Sequence, residues 1–387
     1  MSKENIKPFH SSVILFVLCL FNMSTYGQYD VGEVYFGTND YVEYRAGNLP
    51  IIIVAPHAGT LTPIDLPDVD DRGPDNGTLE TTLDLWDSLF AQTNGCYPHI
   101  IINHLHPNKM NPTDEIDTAA GEHPNTRLAY EEFHGFIEAA KIEVVDEWGT
   151  GHYFEMHGNG HDEMWNEIGL GVSGLYLNDS DEAILERLEL STVKNLCTVG
   201  GSDFLEIIKG ATSLGGLLDA RGWDSVPSPS NPSPGDGGFF FAGWNTWLHG
   251  SRYEGTIDAT HLENYYVFMQ VANRAEYTHD LAESILIFMN EHYGFELDCS
   301  DLGVDVEKDN QEFKIYPNPA NASNVFQINS AKVIDEIIVY DLLGAKVDFK
   351  FDESTGSLKI YKGTGTFIIQ IRLENGQLIA EKVSLVE

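Results

Sequence analysis

Short apolar runs alternate with amphipathic stretches over the first three quarters of the chain, and the periodicity changes along the way. Residues 49–55, Leu-Pro-Ile-Ile-Ile-Val-Ala, are apolar and mostly β-branched, which predicts a buried strand that empties into Pro56-His57-Ala58-Gly59. Residues 78–90 set Leu79, Leu83, Trp86, Leu89 and Phe90 at helical spacing behind Thr78, a candidate N-cap. Residues 97–103 predict the next strand, and 125–148 a long helix with Leu128, Phe133, Phe136 and Ile137 inward. The third strand covers 153–156 and runs into His157. Ser180 would cap a helix reaching residue 196, and 264–293 reads as a closing helix carrying Val267, Phe268, Val271, Leu281, Ile285 and Phe288. Residues 28–48 read as a polar lead-in. The Pro/Ser/Gly run at 227–238 lacks backbone donors and predicts a long surface loop or lid. Strands alternating with helices place this region in the α/β class, with a mixed sheet between helices. From residue 313 the pattern becomes short alternating strands separated by Asn318-Pro319, Leu343-Gly344 and Asn375-Gly376, which predicts a small all-β sandwich.

A chain of 387 residues exceeds one ordinary domain, and its 42% hydrophobic content supports a sizeable core. Residues 1–27 have Lys3 and Lys7 ahead of an apolar run, with Thr25 and Gly27 at the expected cleavage point, the form of a secretory signal. That run is too short to span a bilayer, and no other segment is long enough. The expected organisation is therefore a signal at 1–27, a catalytic domain at 28–298, an acidic linker at 299–312 and a β-sandwich at 313–387. The mature protein is expected to be exported, without a transmembrane segment.

Sixty acidic residues against 22 basic ones give a formal charge of −38. Such a surface repels polyanions and makes nucleic acid a poor partner. Cys19 leaves with the signal, so Cys96, Cys197 and Cys299 remain, an odd number that excludes a disulfide scaffold and leaves any pairing open.

Two histidines at strand ends suggest one metal site, because α/β folds bind ligands beyond the carboxyl ends of their strands. His57 follows the first predicted strand. His157 ends the third, within Phe154-Glu155-Met156-His157-Gly158-Asn159-Gly160-His161. Hydrolytic zinc usually takes three protein ligands and leaves a position for water, so a carboxylate is sought. Glu80 at the start of the first helix is the candidate, and Asp84 one turn later is its rival.

Several motifs resemble the N-formylglutamate amidohydrolase family: Pro56-His57-Ala58-Gly59, the residues 154–161 followed by Glu167-Ile168-Gly169, Gly243-Trp244-Asn245 leading to His249-Gly250-Ser251, and Thr260-His261-Leu262-Glu263. The resemblance spans about residues 50–295. It implies a zinc-carboxypeptidase-like (phosphorylase/hydrolase-like) fold, and hydrolysis of a C–N amide bond in an N-acyl amino acid or related small amide. It further implies His57, Glu80 and His157 as ligands of one Zn2+, Glu263 as general base and His249 as a catalytic donor to the developing oxyanion. Arg252, Asn159 and His161 are implied as substrate-binding groups, Arg252 for a carboxylate. The chain departs from the family at Lys109-Met110-Asn111-Pro112-Thr113-Asp114, where relatives carry an Asp-Pro-Asn-Arg-like stretch. His104, His106 and His134 read as structural.

The tail resembles the C-terminal sorting domain of type IX secretion through Ile315-Tyr316-Pro317-Asn318-Pro319, Val339-Tyr340-Asp341-Leu342-Leu343-Gly344, Gly365-Thr366-Phe367-Ile368 and Lys382-Val383. That implies the type IX machinery as a partner and a secreted or cell-surface location. Two other readings compete with the amidohydrolase: a surface binding protein without turnover on the same fold, and a metallocarboxypeptidase acting on peptides.

Overall fold

The computed structural model describes residues 29–300 and most strand residues between 313 and 385. The predicted signal, linker residues 301–312 and the three predicted turn signals of the tail lie outside the described residues. The chain divides into two compact units, one reaching Gln92 and resuming at Cys96–Leu297, the other taking Thr93–Gly95 with Asp298–Glu387.

The first unit is built on an eight-stranded mixed sheet: β1 (Val34–Phe36), β2 (Val42–Arg45), β3 (Ile51–Ala55), β4 (His99–Asn103), β5 (Gly151–Asn159), β6 (Asn166–Gly169), β7 (Ser225–Val226) and β8 (Ile257–Tyr265), in the order β1-β2-β4-β3-β5-β8-β6-β7. The strands β4, β3, β5 and β8 run parallel to one another, while β2 and β6 join this centre antiparallel. Alternation along β5 divides its side chains between two helical layers. Tyr153 packs in a cluster with Phe133 and Ile137 of the helix Pro124–Trp148, whereas His152 meets Phe288 of the helix Arg274–Tyr293 on the other face. The helix Thr78–Gln92 lies alongside Arg274–Tyr293.

Three regions differ from the periodicity. The polar lead-in contains β1 and β2, because Val42 and Tyr44 face the core while Glu43 and Arg45 pair with each other. The stretch expected to be a helix from residue 264 begins inside β8, and the helix starts only at Arg274. β8 lies between β5 and β6 and is buried on both faces, which removes the two-residue alternation that marks a half-exposed strand. The expected helix from Ser180 breaks into Asp181–Leu185, Leu188–Leu190 and Lys194–Thr198. Ser180 does cap the first piece, accepting from Ala183 N–H, but Thr192 turns inward and its hydroxyl donates to the Ala259 carbonyl at 2.6 Å. Leu128, expected inward, is exposed. Cys197 is the free cysteine among the described residues, and Cys96 and Cys299 are each disulfide-bonded.

The second unit is antiparallel throughout its described strands. β9 (Phe313–Tyr316), β10 (Val325–Ser330), β12 (Phe349–Asp352) and β13 (Ser357–Ile360) form one sheet, and β11 (Ile334–Asp341), β14 (Gly365–Leu373) and β15 (Leu378–Leu385) the other. Phe326, Leu358 and Ile360 of the first meet Val339, Phe367, Ile369 and Val383 of the second in one core. No described helix is long and apolar enough to cross a membrane.

Candidate metal centre

Strand register assembles most of the site. β5 and β8 are parallel neighbours with Glu155 opposite His261 and His157 opposite Glu263. Side chains two residues apart share a face, so the four groups form a checkerboard of alternating carboxylate and imidazole. β6 extends it by one column, with Glu167 opposite Glu263. All five are buried. His57 joins from the other side, two residues past the end of β3. The loop that follows returns, and Asp75 N–H donates to the His57 carbonyl at 3.0 Å.

The two imidazoles converge on that loop's carboxylate. Asp75 Oδ2 lies 2.9 Å from His157 Nδ1 and 3.4 Å from His57 Nδ1, and the two rings are 4.7 Å apart. Their far nitrogens are fixed by acceptors. His57 Nε2 donates to Asn111 Oδ1 at 2.8 Å, an orientation set because Asn111 Nδ2 donates to Asp114 at 2.8 Å. His157 Nε2 donates to Glu155 Oε1 at 2.9 Å. With Nε2 donating outward from both rings, each Nδ1 faces Asp75, and a metal ion in place of the proton there would find the neutral tautomers that a metal-ligating histidine adopts. The donor atoms of His57, Asp75 and His157 all lie within 4.8 Å of one another. Two imidazole nitrogens and a carboxylate oxygen form a donor set suited to zinc.

Acid and imidazole groups are strongly coupled here. Burial would raise the Asp75 carboxyl, but hydrogen bonds and charge from His157 and His57 outweigh it and hold it well below the carboxylate range. Burial likewise opposes a charge on His157, yet hydrogen bonds to Asp75 and Glu155 push its pKa well above the usual imidazole value. A proton is thus stabilised between His157 Nδ1 and Asp75. Glu155, fully buried, is held ionised against desolvation by the His157 hydrogen bond and the surrounding imidazoles. His261 Nε2 reaches Glu263 Oε1 at 3.1 Å, while its Nδ1 is buried with no partner among the described residues.

The residues singled out from sequence separate into two groups. His57, His157 and Glu263 are brought together; Glu80 and Asp84 are not. Glu80 is exposed in the first turn of its helix, where the helix dipole favours an acid, and Asp84 pairs with Arg274 at 2.7 Å. The carboxylate that does stand between the two imidazoles is Asp75. His249 is buried against Tyr153 with both nitrogens engaged, Nδ1 with Glu138 and Nε2 with His134, each at 3.0 Å, so it has no free donor for an oxyanion. Arg252 donates to the Leu190 carbonyl and stacks over Trp247 and Tyr253. Asn159 donates to the Glu263 carbonyl at 3.0 Å, a backbone brace rather than a free substrate contact. His161 stands near the checkerboard with Nδ1 on Glu167 Oε1 at 2.5 Å. Reading residues 109–114 only as a departure missed Asn111, which orients His57. Glu155 and His261 were open to detection: Glu-Met-His and His-Leu-Glu carry the same i, i+2 spacing on strands.

Residues 314–385 match the secretion system C-terminal sorting domain family. That match implies export, an encounter with the type IX secretion machinery, and a cell-surface or secreted location. No curated protein matches the chain. Solved structures that resemble it include gene product Atu2144 from Agrobacterium tumefaciens, with TM-score 0.39, 10% identity and coverage of 65% of this chain and 95% of that one, and N-formylglutamate amidohydrolase from Ralstonia eutropha JMP134, with TM-score 0.38, 13% identity and coverage of 68% and 98%. Likeness at that level decides nothing about chemistry, which rests on the site.

Proposed function

We infer that the chain is an exported, zinc-dependent amidohydrolase, cleaving a C–N amide bond in an N-acyl amino acid or related small amide, on a zinc-carboxypeptidase-like version of the mixed α/β fold. One observation carries the reading: Nδ1 of His57 and Nδ1 of His157 meet at Asp75 while Asn111 and Glu155 hold the opposite nitrogens. Both rings are aimed at one carboxylate, which gathers two imidazole nitrogens and an oxygen within the reach of a single ion. The metal ligands are therefore assigned as His57, Asp75 and His157.

Zinc bound there would lower the pKa of a coordinated water and polarise the substrate carbonyl. Glu263, opposite His157 and only 6% exposed, would take the proton of the attacking water. The His261 hydrogen bond fixes the carboxylate's orientation, and the Asn159 contact to its backbone holds the end of β8. Exclusion of bulk water follows from burial, since His57, His157, His261 and Glu263 are each at most 6% exposed.

Metal analysis of the purified chain tests the reading, with one zinc per chain expected and loss of metal in Asp75→Ala. Glu263→Gln should keep the metal and lose amide hydrolysis. A zinc-loaded wild type that binds N-acyl amino acids without cleaving them would replace the reading with a silent binding protein, and cleavage confined to peptide C-termini would make it a carboxypeptidase.

A further inference from the structure

Next to Glu263 stands a second carboxylate and imidazole that hydrolysis by Glu263 alone does not use. Glu167 is fully buried on β6, opposite Glu263, and both of its oxygens are engaged: Oε1 with His161 Nδ1 at 2.5 Å, Oε2 with the Phe240 N–H at 2.6 Å. His161 lies just past the end of β5, its N–H bonded to Asn159 Oδ1 at 3.2 Å, and Asn159 in turn holds the Glu263 carbonyl. The ring is clamped. Phe240 stacks on it at 5.2 Å, and the Gly238 backbone approaches so closely that a Cβ there would stand 2.5 Å from Nδ1. Nε2 is different. It has no partner among the described residues and is not buried, and the side chain is 31% exposed.

A buried carboxylate behind one imidazole nitrogen, with the other nitrogen open, fixes the ring so that it exchanges a proton through the open nitrogen. The geometry points to His161 as a catalytic acid that protonates the leaving amine, with Glu167 as the residue that positions it and the 227–243 loop as the clamp. This rests on the hydrolase reading given above. In the step, water oxygen bonds to the carbonyl carbon and one of its protons passes to Glu263. The C–N electron pair leaves with nitrogen, which takes the Nε2 proton of His161. The carboxylic acid product and protonated Glu263 then lose protons, one of which restores His161 and the other of which completes the ammonium product.

The test compares two acetyl donors of different leaving group on the zinc-loaded, full-length protein. An N-acetyl amino acid releases an amine that needs a proton, whereas p-nitrophenyl acetate releases a phenolate that departs without one. His161→Gln should lower kcat on the N-acetyl amino acid about 100-fold, with p-nitrophenyl acetate turnover within about threefold of wild type and zinc content unchanged. Glu167→Gln should fall about 10-fold on the amide alone. Equal loss on both substrates, or no loss on either, would overturn the assignment and leave the hydrolase reading standing. If the zinc-loaded wild type cleaves neither, the hydrolase reading falls and takes this assignment with it.

Discussion

The two ends of β5 and β8 carry the same kinds of residue to opposite effect. At the end where the strands begin, His152 and Asp258 are as buried as any group at the site, and every polar atom is answered. Asp258 accepts from Ser251 Oγ at 2.5 Å, Tyr293 OH at 3.0 Å and Leu196 N–H at 3.2 Å. His152 lies between Tyr293 OH at 2.8 Å and Thr260 Oγ1 at 2.7 Å. Hydroxyls and an amide close that cluster, and burial lowers the His152 pKa to about 3, so it stays neutral. At the other end carboxylates face imidazoles, His157 is driven toward its charged form, and His261 keeps a bare nitrogen. A buried histidine is therefore structural or functional according to its partners. Closed neutral networks add rigidity, and open ionic ones hold a place for a ligand.

Substitutions separate the ends. The largest effect is expected of the proposed ligands: Asp75→Ala or His157→Ala should reduce zinc to below about a tenth per chain and amide hydrolysis by about 1000-fold or more. Chelation followed by zinc should restore the wild type and not the variants, which activity assays after dialysis would read. Glu263→Gln should lose about 100- to 10,000-fold in kcat with zinc retained.

At the structural end the signature is stability against pH. Burial pushes the Asp258 carboxyl up to about 6, although hydrogen bonds from Ser251, Leu196, Tyr293 and Asn195 oppose it. Its folded pKa exceeds the unfolded value of about 4, so the native state holds the extra proton between the two. The stability this contributes is fully present below about pH 4 and is lost as pH rises through about 6, a change on the order of 3 kcal/mol. Asp258→Asn should flatten that slope relative to wild type in denaturant titrations from pH 4 to 7, with zinc content unchanged. An unaltered slope would reject the assignment of that pH dependence to Asp258. The smallest effect is expected of Glu80→Ala, which should leave zinc and turnover within error of wild type, since the side chain is exposed.

Much of this was legible before any coordinates. The run Ile51-Ile52-Ile53-Val54 announced a buried strand, and the histidines beyond it and within β5 are the pair that the fold brings together. The tail declared itself by alternation and by its sorting motifs. What periodicity could not supply was Asp75, which sits in an irregular Gly-Pro-Asp-Asn-Gly turn and reaches the site only because its N–H returns to the His57 carbonyl. Glu80 was preferred because a helix start is visible in sequence and a returning loop is not. β8 was obscured by burial on both faces, which erased its alternation and let a helix be read from residue 264.

Zinc stoichiometry of the wild type beside Asp75→Ala and Glu80→Ala bears most directly on the account. One zinc in the wild type and in Glu80→Ala, with almost none in Asp75→Ala, is the predicted result. Zinc retained without Asp75 but lost without Glu80 would contradict it.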